Sequence, residues 1–108
     1  MMELIGTEKQ IAWAEQIRSD MVRWYEAALT ELDADICDEE NDPEDVAELQ
    51  DRREQLTAGF SRIIDNADSA SWWIDHRCVD PARAAGSMYK PSYLATVEQF
   101  VRKAGRKF

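Results

Sequence analysis

The sequence predicts an all-α fold, a long antiparallel helical hairpin with two shorter C-terminal helices packed against it. Three observations predict it. Apolar residues recur at intervals of three and four over two long stretches. Each stretch opens on a helix-start signal. No segment alternates apolar and polar residues convincingly, as a half-buried strand would. With 108 residues, a single helical domain over residues 1–108 is expected.

The first helix is expected over residues 7–32, its end falling between Leu32 and Ile36. Gly6 breaks what precedes it, Thr7 suits the N-cap, and Gln10 stands where it can close a capping box. Ile11, Ala14, Ile17, Met21, Trp24, Tyr25, Ala28, Leu29 and Leu32 fall on one broad face. Trp13 lies on its flank, and Glu15, Arg18, Asp20 and Glu26 take the opposite face. A helix of that length reaches about 39 Å, more than a compact domain of this size needs. Its ends therefore project or pack against another chain. Leu4 and Ile5 are expected to fold back on its first turn.

The second helix starts at Asp42 as cap and Pro43 as first residue, with Glu44 and Asp45 at the positive end of the dipole. Val46, Leu49, Leu56, Phe60, Ile63 and Ile64 keep helical spacing. Arg53 fills an apolar slot with its stem, and Gly59 marks a close approach to the first helix. A short helix over residues 70–77 follows Asp68 or Ser69 as cap. Its adjacent Trp72 and Trp73 point about 100° apart, so one enters the core and the other lies at an edge. Pro81, Gly86 and Pro91 punctuate an irregular stretch with room for one helical turn at residues 81–85. The last helix is expected over residues 92–103. Leu94, Val97, Phe100 and Val101 form its buried face, and Gly105 ends it.

Charge is the other organising feature. The net charge is −9. Up to His76 there are 20 acidic and 6 basic residues; from Arg77 on there are 2 and 7. A balance this acidic works against nonspecific affinity for nucleic acid or anionic membrane. Between residues 31 and 51 the carboxylates Glu31, Asp33, Asp35, Asp38, Glu39, Glu40, Asp42, Glu44, Asp45, Glu48 and Asp51 occur with no Lys or Arg among them. There is no membrane-length apolar stretch and no signal-peptide pattern, and the two cysteines make no disulfide framework. A cytoplasmic protein is expected.

No catalytic motif stands out, and an enzyme is not expected. Asp33, Asp35, Asn41 and Glu44 fall at EF-hand positions 1, 3, 9 and 12, but Cys37 and Asp38 occupy positions 5 and 6 and Pro43 lies within the loop. His76, Cys78 and Cys37 are too few for a closed zinc site. His76 and Cys78 lie two apart, which on a helix aims them in different directions and argues against a Cys–His nucleophile. No metal or cofactor is expected. Arg77, Arg83, Lys90, Arg102, Lys103, Arg106 and Lys107, near Tyr89 and Tyr93, form a basic tail. Direct nucleic-acid binding by it is opposed by the charge of the rest.

Two fragments carry a resemblance. Gly6, Glu8, Lys9, Gln10, Ile11, Trp13, Ala14, Ile17 and Arg18 make the first; Trp72, Trp73, Ile74, Asp75 and Arg77 make the second. Together they are similar to a Gly-x-Glu-Lys-Gln-Ile-x-Trp-Ala-x-x-Ile-Arg and Trp-Trp-Ile-Asp-x-Arg pattern in small, mostly uncharacterised proteins of phages and other mobile elements. The fragments cover under a quarter of the chain. The resemblance implies a shared helical scaffold and a mobile-element origin, and brings no active site. By analogy, small acidic proteins of such elements resemble anti-defence inhibitors, including anti-CRISPR proteins.

The expected function is a non-enzymatic inhibitor docking on a basic, nucleic-acid-binding partner. Asp33, Asp35, Asp38, Glu39, Glu40, Asp42, Glu44 and Asp45 would imitate a phosphate row, with Trp72 or Trp73 as anchor. The alternatives are an assembly protein dimerising through the long helix and a small DNA-binding protein using its basic C-terminal helix. Trp13 is expected to meet Trp72 or Trp73 in the core, and Asp75 to pair with a basic group of the first helix or cap its start.

Overall fold

The computed structural model describes residues 3–38, 42–85 and 92–104. The described chain is all-α: α1 (Glu8–Ile36), α2 (Pro43–Asn66), α3 (Ala70–Asp75), α4 (Pro81–Ala85) and α5 (Tyr93–Ala104). Glu39, Glu40, Asn41, Gly86, Tyr89, Lys90, Pro91, Gly105, Arg106 and Lys107 lie outside the described residues.

α1 begins at the expected capping box. The Gln10 N–H donates to Thr7 Oγ1, and the Thr7 N–H donates to Gln10 Oε1, both at 3.2 Å. Of the two residues expected to fold back on its first turn, Ile5 does not: its side chain is 68% exposed. Leu4 is buried, and Ile5 forms an isolated bridge to Ser69. The Ile5 N–H donates to the Asp68 carbonyl at 2.7 Å, and the Ala70 N–H donates to the Ile5 carbonyl at 2.9 Å. The chain start is thereby pinned to the start of α3. Two residues are too few to show an alternating pattern, so no strand signal was there to read.

α2 returns antiparallel to α1. Tyr25 and Phe60 stack with centroids 4.1 Å apart, and Arg53 Nε donates to Asp33 Oδ1 at 2.7 Å further along. α3 lies along the first turns of α1 in the same direction: Gly6 faces Ala70, and Arg77 lies over Trp13. α5 packs across both long helices. Val97, Phe100 and Ala104 are its buried face. Phe100 joins the layers, with centroids 6.3 Å from Phe60 on α2 and 6.1 Å from both Trp72 and Trp73 on α3.

Five expectations need correction. Arg18, placed on the solvent face of α1, is only 7% exposed. α2, α3 and α5 all pack on α1, so its covered arc is wider than one stripe. Gly59 meets α5, not α1: a Cβ there would run into Val101 Cγ1. Trp13 stands outside the core, 51% exposed, and its ring meets the Arg77 guanidinium at 5.2 Å. Asp75 is exposed and pairs with no described residue of α1, whose start is already capped by its own side chains. α3 also ends two residues earlier than expected, at Asp75.

The described residues extend 51 × 33 × 19 Å with a radius of gyration of 15.2 Å. A compact domain of this length has a radius of about 13 Å. The hairpin makes the molecule long, and this elongation separates its two ends.

Candidate functional site

The turn between α1 and α2 gathers the carboxylates at one end of the hairpin. α1 continues through Ile36, so Asp33 and Asp35 are helical and do not lie in a cation-binding loop. The Cys37 N–H donates to the Asp33 carbonyl at 3.0 Å and closes the helix. Asp42 begins α2 without a side-chain cap bond. Asp33, Asp35, Asp38, Asp42, Glu44, Asp45 and Glu48 are all exposed. No basic residue stands in the last turn of α1, where a positive charge would suit the dipole.

Part of the acidic segment is already used by the fold. Both oxygens of Glu31 accept from the start of α5, from the Tyr93 N–H at 3.3 Å and the Leu94 N–H at 3.1 Å. Asp33 takes the Arg53 guanidinium, and this bond raises the Arg53 pKa. Arg52 is raised chiefly by its bond to Glu98 at 2.6 Å, with the charges of Asp35 and Glu48 adding to it. Asp35, Asp38, Asp42, Glu44, Asp45 and Glu48 are also exposed in this region. Glu39 and Glu40 belong to the same run of sequence.

The tryptophans are not part of this surface. Trp73 is fully buried, and its Nε1–H donates to the Ala67 carbonyl at 3.0 Å. Trp72 is half-buried and stacks on His76 at 4.2 Å. The tryptophan that does reach solvent is Trp13. Its place outside the Ala14, Ile17, Met21, Trp24, Ala28 series was the available signal. From Trp13 to Asp33 along α1 is about 30 Å. The acidic turn and the aromatic surface therefore sit at opposite ends of the hairpin.

A separate pocket of about 230 Å³ lies between α3 and α5, lined by Asp75, His76, Arg77, Cys78, Phe100 and Lys103 among others. The helix ends at Asp75, and His76 and Cys78 both border this pocket, with the His76 ring stacked on Trp72. His76 Nδ1 is 2.7 Å from the Trp72 carbonyl. Burial pushes the Cys78 thiol up, only partly offset by Lys103. A thiol held protonated is a poor nucleophile. Among the described residues no three His, Cys, Asp or Glu side chains are grouped to hold a metal ion.

The basic residues of the C-terminal region also divide. Arg77 and Lys103 line this pocket, whereas Arg102 faces a groove on the other side of α5. No family model, curated protein or solved structure matches the chain. No helix among the described residues is long and apolar enough to cross a membrane.

Proposed function

We propose that the protein is a non-enzymatic binding protein that docks its acidic turn on a basic surface of a nucleic-acid-binding partner. An inhibitor encoded by a mobile element, of the anti-CRISPR kind, is the class this reading favours. The observation that carries it is the exposed carboxylate cluster at the junction of α1 and α2. Carboxylates at a helix C-terminus cost about 0.3–1 kcal/mol each where the dipole is unscreened. The chain nevertheless keeps Asp33, Asp35 and Asp38 there, with Arg53 of α2 reaching Asp33. At the end of α1 the dipole favours the reverse, so the exposed carboxylates there are better explained by what they meet.

Complementary charge raises encounter rates and narrows partner choice. Because Trp13 lies at the far end, the acidic surface works without an aromatic anchor. Its binding is consequently strongly salt-dependent. Assembly through the long helix has less support, since Ala14, Ile17, Met21, Trp24, Ala28 and Leu32 are covered by the chain's own helices.

The test is affinity capture from extract of the host cell, followed by elution with duplex DNA. A nucleic-acid-binding protein released by the duplex supports the reading. Capture that resists both duplex and 1 M salt, on the order of a 3 Å screening length, contradicts it.

A further inference from the structure

The groove between α2 and α5 is basic in a molecule whose net charge is −9. It encloses about 300 Å³ and is lined by Arg52, Gln55, Leu56, Gly59, Arg62, Glu98, Val101 and Arg102. Gly59 has no side chain, so Val101 comes down against the α2 backbone and forms an apolar floor with Leu56. The three guanidinium groups are not equivalent. Arg52 is paired with Glu98 at 2.6 Å. Arg62 on α2 and Arg102 on α5 make no ion pair with a described residue. They stand on the two walls of one groove.

We propose that this groove binds a small phosphate monoester, with Arg62 and Arg102 holding the phosphate and the Leu56–Val101 floor carrying the apolar body of the ligand. Charge selects the headgroup. The Arg52–Glu98 pair is neutral as a unit, leaving two positive charges from Arg62 and Arg102. A phosphate monoester carries about −1.5 to −2 at neutral pH and matches them. A carboxylate or a sulfate ester leaves one guanidinium uncompensated. Guanidinium forks bind tetrahedral oxyanions through paired charge-assisted bonds. Position orients the ligand: Asp35 and Glu48 act on Arg52, so an anion is repelled from that end and directed toward Arg62 and Arg102. Volume selects a small molecule, because about 300 Å³ lies at the lower end of small-ligand sites. This proposal does not depend on the acidic turn.

The experiment is a titration of the full chain with phenyl phosphate, phenyl sulfate and benzoate, followed by backbone amide shifts. Phenyl phosphate is expected to give saturable shifts confined to residues 52–62 and 98–102, and to bind several-fold tighter than the two monoanions. Both arginines are exposed, so R62Q and R102Q leave the core untouched. The double variant R62Q/R102Q is expected to lose about tenfold or more in affinity, equivalent to about 1.4 kcal/mol. The double variant R23Q/R83Q, on exposed positions of α1 and α4, serves as a charge-matched control and is expected to bind normally. Three results would overturn the proposal: no saturable shift, equal affinity for phenyl sulfate, or undiminished binding by the double variant.

Discussion

Phe100 contacts rings from both α2 and α3, and it has almost no exposed surface. Replacing it with Ala removes a contact shared by three helices and leaves a cavity. F100A is expected to lose about 3–5 kcal/mol in urea unfolding. Trp13, by contrast, keeps half its surface in water and meets only the Arg77 guanidinium among the ring contacts described. W13A is expected to cost no more than about 1 kcal/mol, the value of an exposed cation–π pair. The thiols make a second comparison. Cys37 is exposed, and Cys78 is half-buried with its pKa raised. At neutral pH iodoacetamide should modify Cys37 well before Cys78, as mass spectrometry of partially alkylated protein would show. The sign follows for stability as well. A thiol whose folded pKa is raised favours folding below the ordinary thiol value, and that contribution disappears as pH rises through the folded value. At this scale the sequence was legible where spacing decided the outcome, as for Ala14, Met21, Phe60 and Val97. It was not legible for Arg18, whose burial depends on how wide an arc of α1 the other helices cover, and no period within α1 encodes that.

The helices themselves followed from local signals. Thr7 and Gln10 announced α1, Asp42 and Pro43 announced α2, and Ser69 caps α3 through the Trp72 N–H at 3.4 Å. What local signals could not show is how α5 begins. Its first N–H groups are satisfied by Glu31, 62 and 63 residues earlier in the chain. A carboxylate that reads as one member of an acidic run is thus a cap supplied in trans by another helix. E31A is expected to lose about 1–2 kcal/mol and to raise amide exchange at the start of α5 more than elsewhere. Gly59 gives the second element-scale prediction. Helix propensity alone says G59A gains about 1 kcal/mol. The approach of Val101 reverses the sign, because a β-branched side chain cannot swing aside. G59A alone should therefore destabilise, and V101A should recover part of the loss in a double-mutant cycle. Sequence marked Gly59 as a close approach and named the wrong neighbour. Two apolar helices were available to face it, and spacing does not choose between them.

For the whole molecule, the hairpin sets the distances between surfaces. Its length places the carboxylates at one end and the Trp13–Arg77 pair toward the other, so they cannot form one compact footprint. The segment's charge was plain in the sequence. How much of it the fold consumes was not: Asp33 goes to Arg53 and Glu31 to α5. The central claim is that the remaining cluster, and not the overall charge of −9, recognises a basic partner. Two variants with the same change in net charge separate these. One reverses Asp38, Glu44 and Asp45 to Lys at the turn. The other reverses Glu15, Glu26 and Glu54 to Lys on exposed positions of the long helices. The measurement is the dissociation constant of each for the captured nucleic-acid-binding protein, at two salt concentrations. The account predicts a loss of about tenfold or more for the turn variant, about 1.4 kcal/mol, and little change for the other. Equal losses for both variants, or none for either, would contradict it.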